Sequence, residues 1–131
     1  MKGQWIKIYS GDLPLRSWWV DSGNESEYIS IVLPEVFGIN NWIRSFSEKL
    51  AAQNLPVLAI PLYGRTAPNL DLGYSEEDLK LGRHHKNLTT LKNIIEDVSA
   101  AINWVKENTP KKRSLLLDFV LGGMLHLLHL L

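Results

Sequence analysis

Two short apolar runs, each closed by a proline, constrain this chain more than any other feature: Tyr28-Ile29-Ser30-Ile31-Val32-Leu33 before Pro34, and Pro56-Val57-Leu58-Ala59-Ile60 before Pro61. Such runs are too short for buried helices and suit strands covered on both faces. Between them Ile43, Phe46 and Leu50 recur at helical spacing, Asn40 or Asn41 can cap the start, and Gln53-Asn54 releases the chain. Strand, helix and strand in that order imply a parallel pair joined by a right-handed crossover.

The flanking segments extend this unit. Trp5 to Tyr9 and Leu15 to Val20 read as strands joined by the turn-rich Ser10-Gly11-Asp12-Leu13-Pro14, an antiparallel start to the sheet. From Leu62 to Lys86 apolar residues follow no period, and Gly64, Pro68, Gly73 and Gly82 intervene, so the stretch is expected to be a long loop. From Asn87 onward Leu88, Leu91, Ile95, Val98, Ile102 and Val105 alternate steps of three and four, the face of one long amphipathic helix stopped at Asn108-Thr109-Pro110. After Lys111-Lys112-Arg113, the run Ser114-Leu115-Leu116-Leu117 falls where the next parallel strand should begin. The class is therefore α/β: an N-terminal β-hairpin followed by parallel βαβ units. No internal repeat or linker divides it.

Fourteen basic and fourteen acidic residues give zero formal charge, which removes the electrostatic case for a nucleic-acid partner. There is no cysteine, hence neither a disulfide framework nor a thiolate metal site. The opening Met1-Lys2-Gly3-Gln4-Trp5 lacks the apolar core of a signal peptide, so the cytoplasm is the expected location.

Ile31-Val32-Leu33-Pro34-Glu35-Val36-Phe37-Gly38-Ile39-Asn40, followed after a helix by Ala59-Ile60-Pro61-Leu62-Tyr63-Gly64-Arg65-Thr66-Ala67-Pro68, resembles the dienelactone hydrolase (carboxymethylenebutenolidase) family. In that family one strand ends in a Glu-aliphatic-Phe-Gly-Val-Asn turn. The next ends in Pro-Asp-Leu-Tyr and a Gly/Ala-Arg pair, and Ile60-Pro61-Leu62-Tyr63 lacks the acidic residue usual there. The resemblance extends through Asn103-Trp104-Val105 and breaks down beyond Arg113. It implies an α/β-hydrolase fold, of which this chain would be the amino-terminal portion with an incomplete sheet. It also implies hydrolysis of lactones or small esters by a Cys-Asp-His triad without cofactor or metal. By the same resemblance Glu35 is the accessory carboxylate that hydrogen-bonds the resting thiol, Val36 supplies an oxyanion-hole backbone N–H, and Tyr63 and Arg65 stand on the substrate side.

The triad itself is missing. The family's nucleophile sits in a Gly-x-Cys-x-Gly-Gly elbow, and its acid and histidine follow in that order. Here no cysteine exists, and Met124 to Leu131, which follow Gly123, contain no Asp or Glu. The elbow written Gly-Phe-Cys-Phe-Gly-Gly-His-Val, read one nucleotide out of register in one choice of codons, becomes Asp-Phe-Val-Leu-Gly-Gly-Met-Leu. That is the order of Asp118 to Leu125. The expectation is a partial hydrolase domain over 1–113 and an out-of-frame apolar tail over 114–131. The chain would then be an inactive fragment, its apolar faces uncovered and its solubility poor.

Other features are weighed against plain readings. Outside its motif Glu35 would be a surface-turn carboxylate, and Tyr63 and Arg65 ordinary loop residues. His84-His85 lie in a polar stretch and read as solvated histidines, while His126 and His129, at helical spacing, lack a third metal ligand. Gly122-Gly123 is a remnant of the elbow or a chance pair, and Trp5, Trp18, Trp19, Trp42 and Trp104 read as packing. Two other functions stay open. One is a non-catalytic half-domain completed by a separately encoded carboxy-terminal half. The other is a membrane-associating tail, although an apolar run of about 17 residues interrupted by Asp118 falls short of the roughly 20 a span requires.

Overall fold

The structure, a computed structural model, describes residues 2–109, 112–120 and 124–130. The chain opens with strands β1 (Gln4–Ser10) and β2 (Leu13–Val20), a hairpin turned at Gly11-Asp12, where Gly11 takes a φ of 61°. Then follow β3 (Tyr28–Leu33), α1 (Asn41–Ala52), β4 (Val57–Ala59), α2 (Glu76–Leu88), α3 (Leu91–Asn108), β5 (Arg113–Val120) and β6 (Met124–Leu130). The described strands form one sheet in the order β1-β2-β4-β3-β5-β6. β4, β3 and β5 are mutually parallel, while β2 joins β4, and β6 joins β5, antiparallel.

The alternation of side chains along the central strands explains the layers. Ile29, Ile31 and Leu33 of β3, with Leu58 and Ile60, pack against Ala101 and Val105 of α3. Val32, Val57 and Ala59 point the other way, onto Ile43 of α1 with Phe46 and Leu50 beside it. Both faces of β3 and β4 are thus covered, which is why these central strands read as continuous apolar runs. As expected, Asn40 caps α1, its side chain accepting from the Ile43 N–H at 3.1 Å, and Gln53 closes it before Asn54 turns left-handed at φ 68°. The run beginning at Ser114 is a parallel strand, registered from Tyr28 opposite Arg113 to Leu33 opposite Asp118. Leu115 to Val120 pair on their other side with β6.

Three sequence expectations are corrected. Much of the stretch from Leu62 to Lys86 is not loop but α2, whose apolar content is too low to show a period. Its stability comes from its ends: Ser75 accepts from the Asp78 N–H at 3.1 Å, Glu76, Glu77 and Asp78 face the positive end of the helix dipole, and His85 and Lys86 the negative end. Second, the single helix expected from Asn87 is broken at Thr89-Thr90, where Thr90 caps α3 and strands Leu88 and Leu91 on the exposed side. Third, His126 and His129 fall on a strand rather than a helix, and Gly122-Gly123 lies outside the described residues. The tryptophans pack in pairs, Trp5 on Trp18 and Trp19 on Trp104, each edge to face, while Trp42 stacks on Phe46. Among the described residues no helix is long and apolar enough to cross a membrane.

Gly82, inside α2, has a specific reason to be there: a Cβ would collide with the Val36 carbonyl. The residue brings the helix against the turn after β3. In an unconstrained helix Gly→Ala would stabilise by about 1 kcal/mol. Here Gly82→Ala is expected instead to destabilise by about 1–3 kcal/mol through overpacking. A thermal melt checks the sign, and a raised midpoint would mean that α2 lifts freely from the turn.

Candidate active-site cavity

Because β4, β3 and β5 run parallel, their carboxyl ends open on one side of the sheet, where α/β folds place their ligands. A cavity of about 530 Å³ lies there, lined by Pro34, Glu35 and Val36 after β3, by Leu62 and Tyr63 after β4, by Asp118 of β5, and by residues of the two later helices. Glu35, Val36 and Tyr63 are buried.

The turn carrying Glu35 and Val36 is tightly made. The Gly38 N–H donates to the Glu35 carbonyl at 3.1 Å, and Gly38 adopts a φ of 80°. A Cβ there would collide with the Leu70 carbonyl, so only glycine lets the later loop fold back over the turn. That loop is fastened by the Leu72 N–H donating to the Phe37 carbonyl at 2.9 Å and by Asn40 Nδ2 donating to the Leu72 carbonyl at 3.0 Å. Phe37 meets Tyr74 edge to face at 4.6 Å. Asn40 thus caps α1 and clamps the loop at once.

Tyr63 ends β4's extension into the cavity. Burial pushes its phenol up to about 12 from the usual 10, and the Asp118 carboxylate adds to the rise. The folded state therefore favours the neutral phenol. Below pH 10 both folded and unfolded chains hold the proton and the fold keeps its full stability. Between about pH 10 and 12 the unfolded chain ionises first, so stability is lost as pH rises, on the order of 2 kcal/mol. Urea midpoints measured across that window should fall, and Tyr63→Phe should flatten the decline.

Arg65, assigned to the substrate side on sequence, lies outside this lining. Its Nη1 donates to Asp97 Oδ2 at 2.9 Å and its Nη2 to Glu96 Oε2 at 3.2 Å, both on α3. The structure adds residues to the cavity that sequence reasoning passed over: Asp118, and Arg83 and Lys86 of α2. The latter two were hidden by the expected loop, although Ser75 followed by three acidic residues was an available helix-start signal. Asp118 required the strand register, which places it opposite Leu33. His84 and His85 sit on α2 with rings 5.2 Å apart, and His85 Nδ1 is 2.9 Å from Thr66 Oγ1. No group of three or more metal-ligating side chains occurs among the described residues.

Chemically the cavity offers carboxylates, a protonated phenol and two cations, with no thiol anywhere in the chain. Comparison with known proteins adds to this geometry. The sequence profile of the dienelactone hydrolase family matches residues 20–130, a span that continues past Arg113. A candidate carboxymethylenebutenolidase of Synechocystis sp. (strain ATCC 27184 / PCC 6803 / Kazusa) is 32% identical over 97 residues, covering 72% of this chain and 39% of that protein. Among solved structures, a candidate dienelactone hydrolase of Klebsiella pneumoniae superposes with a TM-score of 0.74 at 21% identity, covering 92% of this chain and 50% of that one. The dienelactone hydrolase of Anabaena variabilis superposes at 0.62 with 14% identity, covering 93% and 54%. These likenesses show the α/β-hydrolase fold, and this chain spans about half the length of the solved relatives or less than half that of the curated one.

Proposed function

This chain belongs to the dienelactone hydrolase family, and on that premise we propose that its cavity is the front half of a site for small esters or lactones, able to bind them but not to turn them over. The observation that carries the reading is that Glu35, Val36 and Tyr63 meet in one cavity at the carboxyl ends of the parallel strands, in a chain without cysteine. In the proposed site the Val36 backbone N–H faces the substrate carbonyl oxygen, Tyr63 offers a neutral hydroxyl, and Glu35 is the accessory carboxylate by its likeness to the family's motif. Polarising a carbonyl is of little use without a nucleophile and a base, since the two act as a unit in acyl transfer. No cofactor or metal enters this scheme.

The test is hydrolysis of an activated aryl ester by the purified chain. Release of the phenol at the rate of buffer alone is expected. Turnover that disappears in Glu35→Ala would overturn the inactive reading and give Glu35 a direct role. The out-of-register origin of the apolar tail over 114–131 belongs to the same proposal. Sequencing the coding DNA beyond the codon for Lys106 decides it, because an adjacent frame encoding an elbow cysteine supports that origin and its absence removes it.

A second reading is favoured by Leu91, 73% exposed at the start of α3 with Leu88 and Ile95 also exposed near it. These residues suit a half-domain completed by a separately supplied carboxy-terminal half. Co-purification of such a half from the source cells, with esterase activity appearing only in the complex, is the result that would put this reading first.

A further inference from the structure

Tyr63 and Arg65 are locked into one short turn: the Tyr63 carbonyl accepts from the Thr66 N–H at 3.2 Å and from the Ala67 N–H at 2.7 Å. Whatever holds the Arg65 side chain therefore also sets where the Tyr63 backbone stands. One side of the turn is fastened to α3, through Arg65 to Asp97 at 2.9 Å and to Glu96 at 3.2 Å. The other side is fastened to α2, through Thr66 to His85. Asp97 is fully buried and comes from the core-facing side of α3, so its position is set by packing rather than by the ion pair. It is an anchor, and Arg65 is the tether.

We infer that Arg65 is a positioning residue that holds the Tyr63 hydroxyl at the cavity, with Asp97 as its buried anchor, and that it does not itself meet the ligand. A substrate-binding role would require the guanidinium to turn from two carboxylates at once, leaving Asp97 buried without its cation. Charge points the same way, since one arginine facing two acids leaves a local excess of negative charge that repels an anionic ligand. The assignment takes the cavity to be the ligand site proposed above, but its test reads Tyr63 directly and does not depend on any activity.

The experiment is a titration of the full chain labelled at the tyrosine ring carbons, with Tyr63→Phe identifying the Tyr63 signal by NMR. In the unaltered chain Tyr63 should titrate near 12. In Arg65→Gln the loosened turn should admit water to the phenol and lower its titration by about one unit, tenfold in the ionisation constant. The sign separates positioning from simple charge loss: removing a cation without moving Tyr63 would raise the phenol further. Arg65→Lys, which keeps a cation within reach of Asp97, should fall between the two and serves if the glutamine variant does not fold. An unchanged or raised Tyr63 titration in a folded variant would overturn the inference. So would selective loss of an anionic probe, with benzoate binding weakened tenfold in Arg65→Gln while benzamide binding stays the same.

Discussion

Truncating Leu58 to alanine is expected to cost about 3–4 kcal/mol. Leu58 is fully buried at the centre of β4, opposite Trp19 of β2 on one side and Ile31 of β3 on the other. A cavity made there has little chance to close, because backbone hydrogen bonds to both neighbouring strands hold its walls in place. Loss of transfer energy and loss of packing then add rather than offset. Against a total of about 5–15 kcal/mol for a domain of ordinary stability, this is a large share. Urea unfolding of Leu58→Ala beside Leu81→Ala provides the contrast, since Leu81 is exposed and its truncation should cost less than about 1 kcal/mol. Equal losses at the two positions would mean that the sheet centre is not the packed core described here.

The second large effect is expected at Arg65. Removing one partner of a buried pair leaves the other as an uncompensated charge, at about 3–5 kcal/mol. The Arg65 side chain is 30% exposed, so its loss should fall at the lower end, about 3 kcal/mol. The origin of that cost is Asp97 rather than the lost attraction. Asp97 Oδ1 has no hydrogen-bond partner and Oδ2 has Arg65, so the alanine variant strands a fully buried carboxylate. Adding Asp97→Leu to Arg65→Ala should therefore restore about 2 kcal/mol or more, since an apolar side chain replaces the stranded charge. Comparing the two variants by urea unfolding checks this. A double variant no more stable than Arg65→Ala would place the cost elsewhere, in the packing of the arginine stem.

The central crossover was legible because burial on both faces writes itself into sequence as uninterrupted apolar runs, and Tyr28 to Leu33 and Val57 to Ala59 are strands where those runs lie. The cap of α1 was legible for a similarly local reason: Asn40 bonds within its own turn. α2 was not, because a helix held by its termini and by one close backbone approach leaves no apolar period to read. The break at Thr89-Thr90 was hidden inside a spacing that continues across it. Leu88 and Leu91 keep helical intervals yet stay exposed, while Asp97, polar and therefore outside any apolar pattern, is fully buried.

The candidate site divides along the same line. Glu35, Val36 and Tyr63, named from sequence, line one cavity because each lies within a few residues of a strand end, where local motif and spatial position coincide. Arg65 shows the limit of that logic: it is two residues from Tyr63 in the chain, yet its guanidinium is taken by α3, a partner 32 positions away. By itself the sequence determined the strand and helix types of the central unit, the family motif and the lack of a thiol, all of which depend on local composition. Tertiary structure decided the strand register that brings Asp118 beside Tyr63, the approach of α2 at Gly82 that sets Arg83 and Lys86 over the cavity, and the capture of Arg65 by Asp97. Those contacts join residues far apart in the chain, and their energies depend on burial and distance, which exist only once the sheet has formed.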